Sequence, residues 1–272
     1  MSPPGALVVA DAAGTDTFGV SLPSTFEDLL AEAESASVEG WGFSWFEGRA
    51  TEERPTWGYS RMLADRMAGA TAALDIQTGG GEVLAQIPEP PPVLAATESW
   101  PPNVALARAN LARLGVTVAE VPDDADLPFS AGSFDLVVSR HPTLTRWDEI
   151  ARVLRSDGTY LSQQVGAGSI RELTDYMMGP QPVSQTRNPE RAASAAIAAG
   201  LEVVDLRQEA LPTVFNDVGA VVYFLRKVVW IVPGFTPAAY LDQLGRLHRQ
   251  IQVEGPFVAH AQRFLIEARK PQ

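Results

Sequence analysis

The sequence predicts an α/β fold built on a parallel sheet, and three observations carry that expectation. From residue 73 onward, short apolar runs alternate with helical stretches, the pattern of successive βαβ units. The first run leads into a glycine triplet, Gly79 to Gly81, and the second ends on Glu98, twenty-three positions after Asp75. A glycine turn after one strand and a carboxylate closing the next mark the edge where doubly wound sheets hold their ligands.

Residues 1–24 are rich in Ala, Gly, Pro and Ser without periodicity and are expected to form a flexible N-terminus. Thr25 is placed to cap a helix over TFEDLLAEAESASV, with Asp28 three positions later completing a capping box. The run WGFSWFEGRATEERPTWGYS, residues 41–60, gathers Trp41, Trp45 and Trp57 with Phe43, Phe46 and Tyr59. It reads as a satellite core under a loop or as an aromatic lid over a ligand, with residues 25–70 as the lid segment. The strands expected next are ALDI (73–76), VLAATE (93–98), VTVAEV (116–121), FDLVVSR (134–140) and GTYLSQQV (158–165). PNVALARANLARLG is a helix with Pro102 at its start and Gly115 past its end, and ERAASAAIAAG is another, closed by Gly200. LEVVDLR gives a sixth strand. DVGAVVYFLRKVVW is apolar on nearly every face and is expected as a buried helix or strand pair. TPAAYLDQLGRLHRQI is an amphipathic helix, and PFVAHAQRFLIEARK has strand character. Residues 71–272 are thus expected as one α/β domain with a helical insertion around 216–252.

Composition narrows the chemistry. The 272 residues suffice for one large α/β core, and no run of about 18 apolar residues could span a bilayer. The first residues lack the charged and apolar regions of a signal peptide, so a soluble, cytoplasmic protein is expected. The absence of cysteine excludes disulfides, thiolate nucleophiles and Cys-ligated metals. Three histidines, His141, His248 and His260, show no ligand spacing, so no metal is expected. A net charge of −12 repels a polyphosphate, which argues against a nucleic-acid substrate.

The motif LDIQTGGGE, residues 74–82, follows a strand. Its glycines let backbone approach a ligand, and a helix N-terminus is expected at its end, with free N–H groups suited to an anion. Ser139, Arg140 and His141 follow the fourth strand at the carboxyl edge. His141, with an unperturbed pKa near neutrality, is a candidate general base or a loop-packing residue. Gln163 and Gln164 are consecutive on a strand and must face opposite sides of the sheet, where one could orient a substrate or serve the core. Arg49 and Arg54 could clamp a substrate carboxylate or cap loop carbonyls. A GxGxxG fingerprint is missing, which disfavours a nicotinamide dehydrogenase.

These segments resemble the class I S-adenosylmethionine (SAM) methyltransferases. LDIQTGGGE looks like their motif I, ATESWPPNVALARANL like the acidic end of strand two and its helix, and DLPFSAGSFDLVVSRH like the segment leading into strand four. EIARVLRSDGTYLSQQVG looks like the stretch before strand five. The resemblance covers roughly residues 70–170. The whole chain more loosely resembles actinobacterial methyltransferase-type-11-like proteins, through GWGFSW near the start and RFLIEARKP at the end. It implies a Rossmann-like fold, a mostly parallel seven-stranded sheet with an antiparallel last strand and helices on both faces. It also implies SAM as cofactor and S-adenosylhomocysteine as product. Asp75, Gln77, Gly79 and Gly81 would cradle the methionine part and Glu98 the ribose. Ser99, Trp100 and Leu127 would lie by the adenine with Asp124, or with Asp123 or Asp126, which spacing does not separate. Ser139 would complete the cofactor site, Arg140 and His141 the catalytic group, and Trp41, Trp45, Trp57, Arg49 and Gln163 the substrate pocket.

The chain departs from the family at Gln77, where glycine is usual, and at Ser156-Asp157-Gly158, where the family has Pro-Gly-Gly. The resemblance implies methyl transfer to a small molecule in specialised, natural-product metabolism. Gln77 motivates an alternative, a repurposed enzyme that closes a ring or rearranges its substrate without transferring methyl. The apolar density of GAVVYFLRKVVWIVPGF motivates a third, a non-catalytic subunit bound to a partner protein or forming a homodimer, unless that segment is buried.

Overall fold

The computed structural model describes residues 25–38 and 44–272. The expectations for residues 1–24, Trp41 and Phe43 lie outside them. In chain order the strands are β1 (Ala50–Glu52), β2 (Ala72–Ile76), β3 (Val93–Glu98), β4 (Thr117–Glu120), β5 (Phe134–Arg140), β6 (Leu154–Val165), β7 (Glu202–Phe215) and β8 (Phe257–Arg269). The helices are α1 (Phe26–Ser35), α2 (Tyr59–Gly69), α3 (Pro101–Leu111), α4 (Trp147–Val153), α5 (Arg171–Met178), α6 (Pro189–Ala198), α7 (Val218–Lys227) and α8 (Leu241–Glu254). α1 begins as expected, because the Thr25 hydroxyl accepts from the Asp28 N–H and the Asp28 carboxylate from the Thr25 N–H, both at 3.1 Å.

The strands form one sheet in the order β1-β7-β8-β6-β5-β2-β3-β4. Pairs from β6 to β4 are parallel, and β8 enters antiparallel between β6 and β7. This is the expected Rossmann-like sheet with its antiparallel last strand, with one correction. There are eight strands, because β1 adds itself antiparallel to the β7 edge. Three residues inside the aromatic run are too few to show a period of two.

Alternation along the strands divides the core. Ala73, Leu94, Ala96, Leu136, Val138, Leu161 and Leu265 face α2 and α3, meeting Leu63, Met67, Val104 and Leu111. Leu74, Val137, Tyr160, Phe264 and Ile266 face the other side, with Ile150, Val153 and Ala196 of α4 and α6. A third cluster forms where α1, α5, α7 and α8 pack against the far ends of β7 and β8. The apolar run is the helix of the two expected alternatives: every residue of α7 except Arg226 is buried. Burial of that segment removes the observation behind a partner-binding subunit, although Val229 just beyond α7 is 45% exposed. Among the described residues, no helix is long and apolar enough to cross a membrane.

Candidate active site

The chain leaves β2 through a sharp turn. Gln77 has φ 57°, a left-handed conformation unusual for a residue with a side chain, and Gly79 and Gly81 follow at 65° and 78°. A Cβ on Gly81 would come within 2.9 Å of Leu111 Cγ, so glycine lets the turn rest on α3, whereas a Cβ on Gly79 would meet open space. Four N–H groups of the turn are used internally. Gln77 donates to Thr97 Oγ1 (3.3 Å), Thr78 to the Thr97 carbonyl (2.9 Å), Gly79 to Glu98 Oε2 (2.8 Å) and Gly81 to the Thr78 carbonyl (3.2 Å). The expected helix N-terminus is absent, since only a 3-10 turn, Leu84–Gln86, follows. Pro88, Pro90, Pro91 and Pro92 remove the backbone donors a longer helix would need.

What converges beside this turn is negative. Asp75 is buried, accepts from the Thr78 hydroxyl at 2.7 Å, and is raised to about 7, first by desolvation and then by Glu98. Glu98 accepts from the Gly79 and Trp100 N–H groups, and burial raises it despite those bonds. Asp123 contributes its charge to Glu98, and its Oδ1 is buried without a hydrogen-bond partner. None of the three has an ion-pair partner among the described residues. Asp124, by contrast, is exposed, and Asp126 pairs with Arg146 at 3.3 Å. The geometry therefore separates the three aspartates where spacing does not, and it favours Asp123 over Asp124.

A cleft opens on the α4 face, lined among others by Thr97, Asp123, Leu127, Ser139, Leu144 and Tyr160. Ser99 stands half-buried at its β3 end. Gln77 closes it from below. Its Oε1 accepts from the Thr143 N–H (2.6 Å) and hydroxyl (3.1 Å), and its Nε2 donates to the Leu144 carbonyl (2.8 Å), latching the 142–146 loop. Arg146 holds the loop's other end by donating to the Asp124 carbonyl at 2.6 Å.

The end of β5 faces both ways. Ser139 is buried, with Oγ at 2.7 Å from the Tyr160 hydroxyl and 2.9 Å from Ser162 Oγ, while its carbonyl accepts from the Tyr59 hydroxyl at 3.0 Å. Arg140 turns toward α2, where its charge acts on Asp75 and Tyr59. Gln163 sits on that face and Gln164 on the other, bonded to Thr145, as alternation requires. Trp57 Nε1–H donates to Gln163 Oε1 at 2.8 Å. An indole only donates, so the Gln163 amide nitrogen faces His141 Nε2, 2.9 Å away. That ring nitrogen must accept, which places the imidazole proton on Nδ1 and opposes protonation at Nε2.

The aromatic run serves two places. Trp57 and Tyr59 reach the site. Trp45 stacks on Tyr223 of α7 at 4.5 Å between ring centres and lies under the Arg49 guanidinium at 4.3 Å, and Arg49 also pairs with Glu32 at 2.6 Å. Tyr59, Glu52, Arg187 and Arg263 are residues beside the site to which sequence reasoning gave no role there, whereas Asp123 was one of its three candidate aspartates. Arg263 alone carried a signal, as a charge alternating with the buried Leu265 on one face of a strand.

Residues 74–162 match the family model of a methyltransferase domain. The same architecture recurs in the YcgJ protein of Bacillus subtilis, 20% identical at a TM-score of 0.56, with 79% of this chain aligned to 99% of that one. This is the class I methyltransferase fold. A Deinococcus radiodurans protein described as functionally unknown shares it at 16% identity and TM-score 0.55, covering 81% of this chain and 90% of its own. A Haemonchus contortus phosphoethanolamine N-methyltransferase, solved with phosphomonomethylethanolamine and S-adenosylhomocysteine, is 19% identical at TM-score 0.51 over 92% of this chain and 61% of its own. No curated protein matches the chain. The residues present fit the cofactor of this fold. An acidic group without an ion pair among the described residues suits a ligand with ammonium and sulfonium charges, and the orphaned Asp123 oxygen needs a donor such as an exocyclic amine.

Proposed function

We propose that the protein transfers a methyl group from SAM to a small-molecule acceptor. The observation that carries this reading is the pair of buried carboxylates Asp75 and Glu98, with the half-buried Asp123 and its unpartnered Oδ1 beside them, around an open glycine turn and without an ion-pair partner among the described residues. Asp75, Gly79, Gly81 and Ser139 would hold the methionine end, Glu98 the ribose hydroxyls, and Ser99, Asp123 and Leu127 the adenine. SAM, when bound, supplies an already activated methyl group. The protein's task is then mainly to orient the acceptor and exclude water, since positioning alone removes several kcal/mol of the barrier.

Arg140 and Gln163 face the acceptor side. His141 is held as a neutral imidazole by Gln163, so it serves to position that glutamine, and acts as a base only when their contact opens. Gln77 replaces the usual glycine by adopting its backbone conformation and turning its side chain aside to the 142–146 loop. The substitution is thereby compatible with a retained cofactor site.

Calorimetric titration with SAM and S-adenosylhomocysteine tests the reading. Dissociation constants in the micromolar range, near −8 kcal/mol, are expected for both, and weakening of about tenfold or more in Glu98→Ala. Glu98 also ties the turn together, so Asp123→Asn, which leaves those bonds intact, is the second variant and should weaken both ligands as well. Absence of binding by the folded wild type overturns the proposal and favours the repurposed fold.

A further inference from the structure

Beyond the acids, the same sheet edge carries a group of the opposite charge. Arg140 pairs in register with Gln163, and Val165, two residues on, pairs with Arg263 of β8. Cross-strand partners and residues two apart share a face, so Arg140, Gln163 and Arg263 project to the α2 side. Arg263 donates to Glu52 Oε1 at 2.7 Å, and both side chains are 6% exposed. Arg140 and Arg187, both partly buried, each feel the charge of Arg263, and Arg54 adds its own charge at Arg140. The guanidinium groups of Arg140 and Arg187 make no hydrogen bond or ion pair among the described residues. Burial weakens the hold of both on their protons, and the one carboxylate of the group, Glu52, is already engaged by Arg263.

In a chain of net charge −12, this concentration of half-buried arginines is a local inversion of sign. Desolvated guanidinium groups without partners leave fork-shaped donors suited to an oxyanion. We propose that the group receives the anionic head, a carboxylate or a phosphate, of the acceptor molecule. The inference rests on the methyl-transfer reading for the role of acceptor, while the anion site itself stands on the arginines alone. The cofactor's own carboxylate is a different occupant. Arg263 lies three strands from β2, about 14 Å along the sheet at the usual strand spacing, whereas Arg140 is on the strand next to it. A ligand shared by Arg140, Arg187 and Arg263 therefore extends away from the Asp75 end of the site.

Calorimetry with benzoate, phenyl phosphate and the neutral isostere benzamide tests this, each titrated with and without saturating S-adenosylhomocysteine. At least one anionic probe should bind about tenfold or more tighter than benzamide, and the better of the two identifies the head group. Arg187→Gln and Arg140→Gln should each erase most of that preference. Equal affinity for charged and neutral probes, or preference unchanged in both variants, overturns the proposal. The two failures separate in this design: loss of S-adenosylhomocysteine binding with benzoate preference intact removes the cofactor reading only, and the reverse removes the anion site only.

Discussion

Replacing Asp75 with asparagine removes a charge that folding has to bury. The carboxyl is buried, and its pKa rises from an ordinary 3.8 to about 7. A raised carboxyl binds its proton more tightly in the folded state, so between about pH 4 and pH 7 the folded protein holds more protons than the unfolded chain. Stability then falls as pH rises through that window and stays reduced above it. A gap of about three units, at 1.36 kcal/mol per unit, amounts to about 4 kcal/mol at pH 8. Asparagine has the same shape, keeps an oxygen for the Thr78 hydroxyl and carries no charge.

Asp75→Asn should therefore be more stable than wild type at pH 8 by up to about 4 kcal/mol. At roughly 2 cal/mol/K per residue over 272 residues, that is a rise of about 7 °C in Tm. The advantage should shrink toward pH 4, where the folded carboxyl is fully protonated and the unfolded one begins to take up its proton, and vanish below it. The assay is thermal unfolding of both proteins at pH 4, 6 and 8, with SAM titrations alongside. The same variant should lose SAM affinity, because the charge that opposes folding is the one that would receive the ammonium group. A stability difference independent of pH, or a variant less stable than wild type at pH 8, refutes the electrostatic account of this buried acid.

Other outcomes follow from the same geometry. SAM affinity of the wild type should increase between pH 6 and 8 by up to about tenfold, with proton release on binding, as the cation draws the proton from Asp75; calorimetry in buffers of different ionisation enthalpy reads both. Gly81→Ala should destabilise by about 2–4 kcal/mol in denaturant titration, since its Cβ would meet Leu111 at 2.9 Å on a backbone at φ 78°. Gln77→Gly should relieve the left-handed strain and release the 142–146 loop, giving faster amide exchange there and tighter S-adenosylhomocysteine binding. Trp57→Phe should cost about 1–3 kcal/mol, because Gln163 Oε1 then loses its donor inside the core.

The parts of this molecule that were legible in the sequence are those whose signal is local. β3 and β5 coincide with the expected runs, since each is a short apolar stretch bounded by turn residues, and Asp75 and Glu98 stand out as charges at strand ends. β1 was not legible because its partner, β7, lies some 160 positions away and its three residues have no pattern of their own. The missing helix after the glycine turn was misread in favour of a motif, although four prolines in five positions already argued against it. Glu52 and Arg263 are 211 positions apart, and only the sheet order brings them together. Arg187, in a 3-10 turn between helices, shows nothing in its neighbours to mark it.

The two charge groups are best understood together, through the strands that carry them. Asp75 and Glu98 lie at the ends of β2 and β3, Asp123 in the loop after β4, and Arg263 on β8 beyond β6, so the sign of the field reverses across β5. Arg140 sits at that reversal, acting on Asp75 on one side and on Arg263 on the other. A cationic donor on the acidic side and an anionic acceptor on the basic side would each be attracted to its own half and repelled by the other's, so the field would orient the pair before contact. This makes Arg140 the residue whose loss should affect both partners. Arg140→Gln should weaken benzoate while strengthening SAM binding, because Asp75 and Glu98 then face the cation with no opposing charge. A parallel loss of both affinities would mean instead that Arg140 holds the cofactor's carboxylate, and that the boundary between the two ligands lies one strand further toward β8.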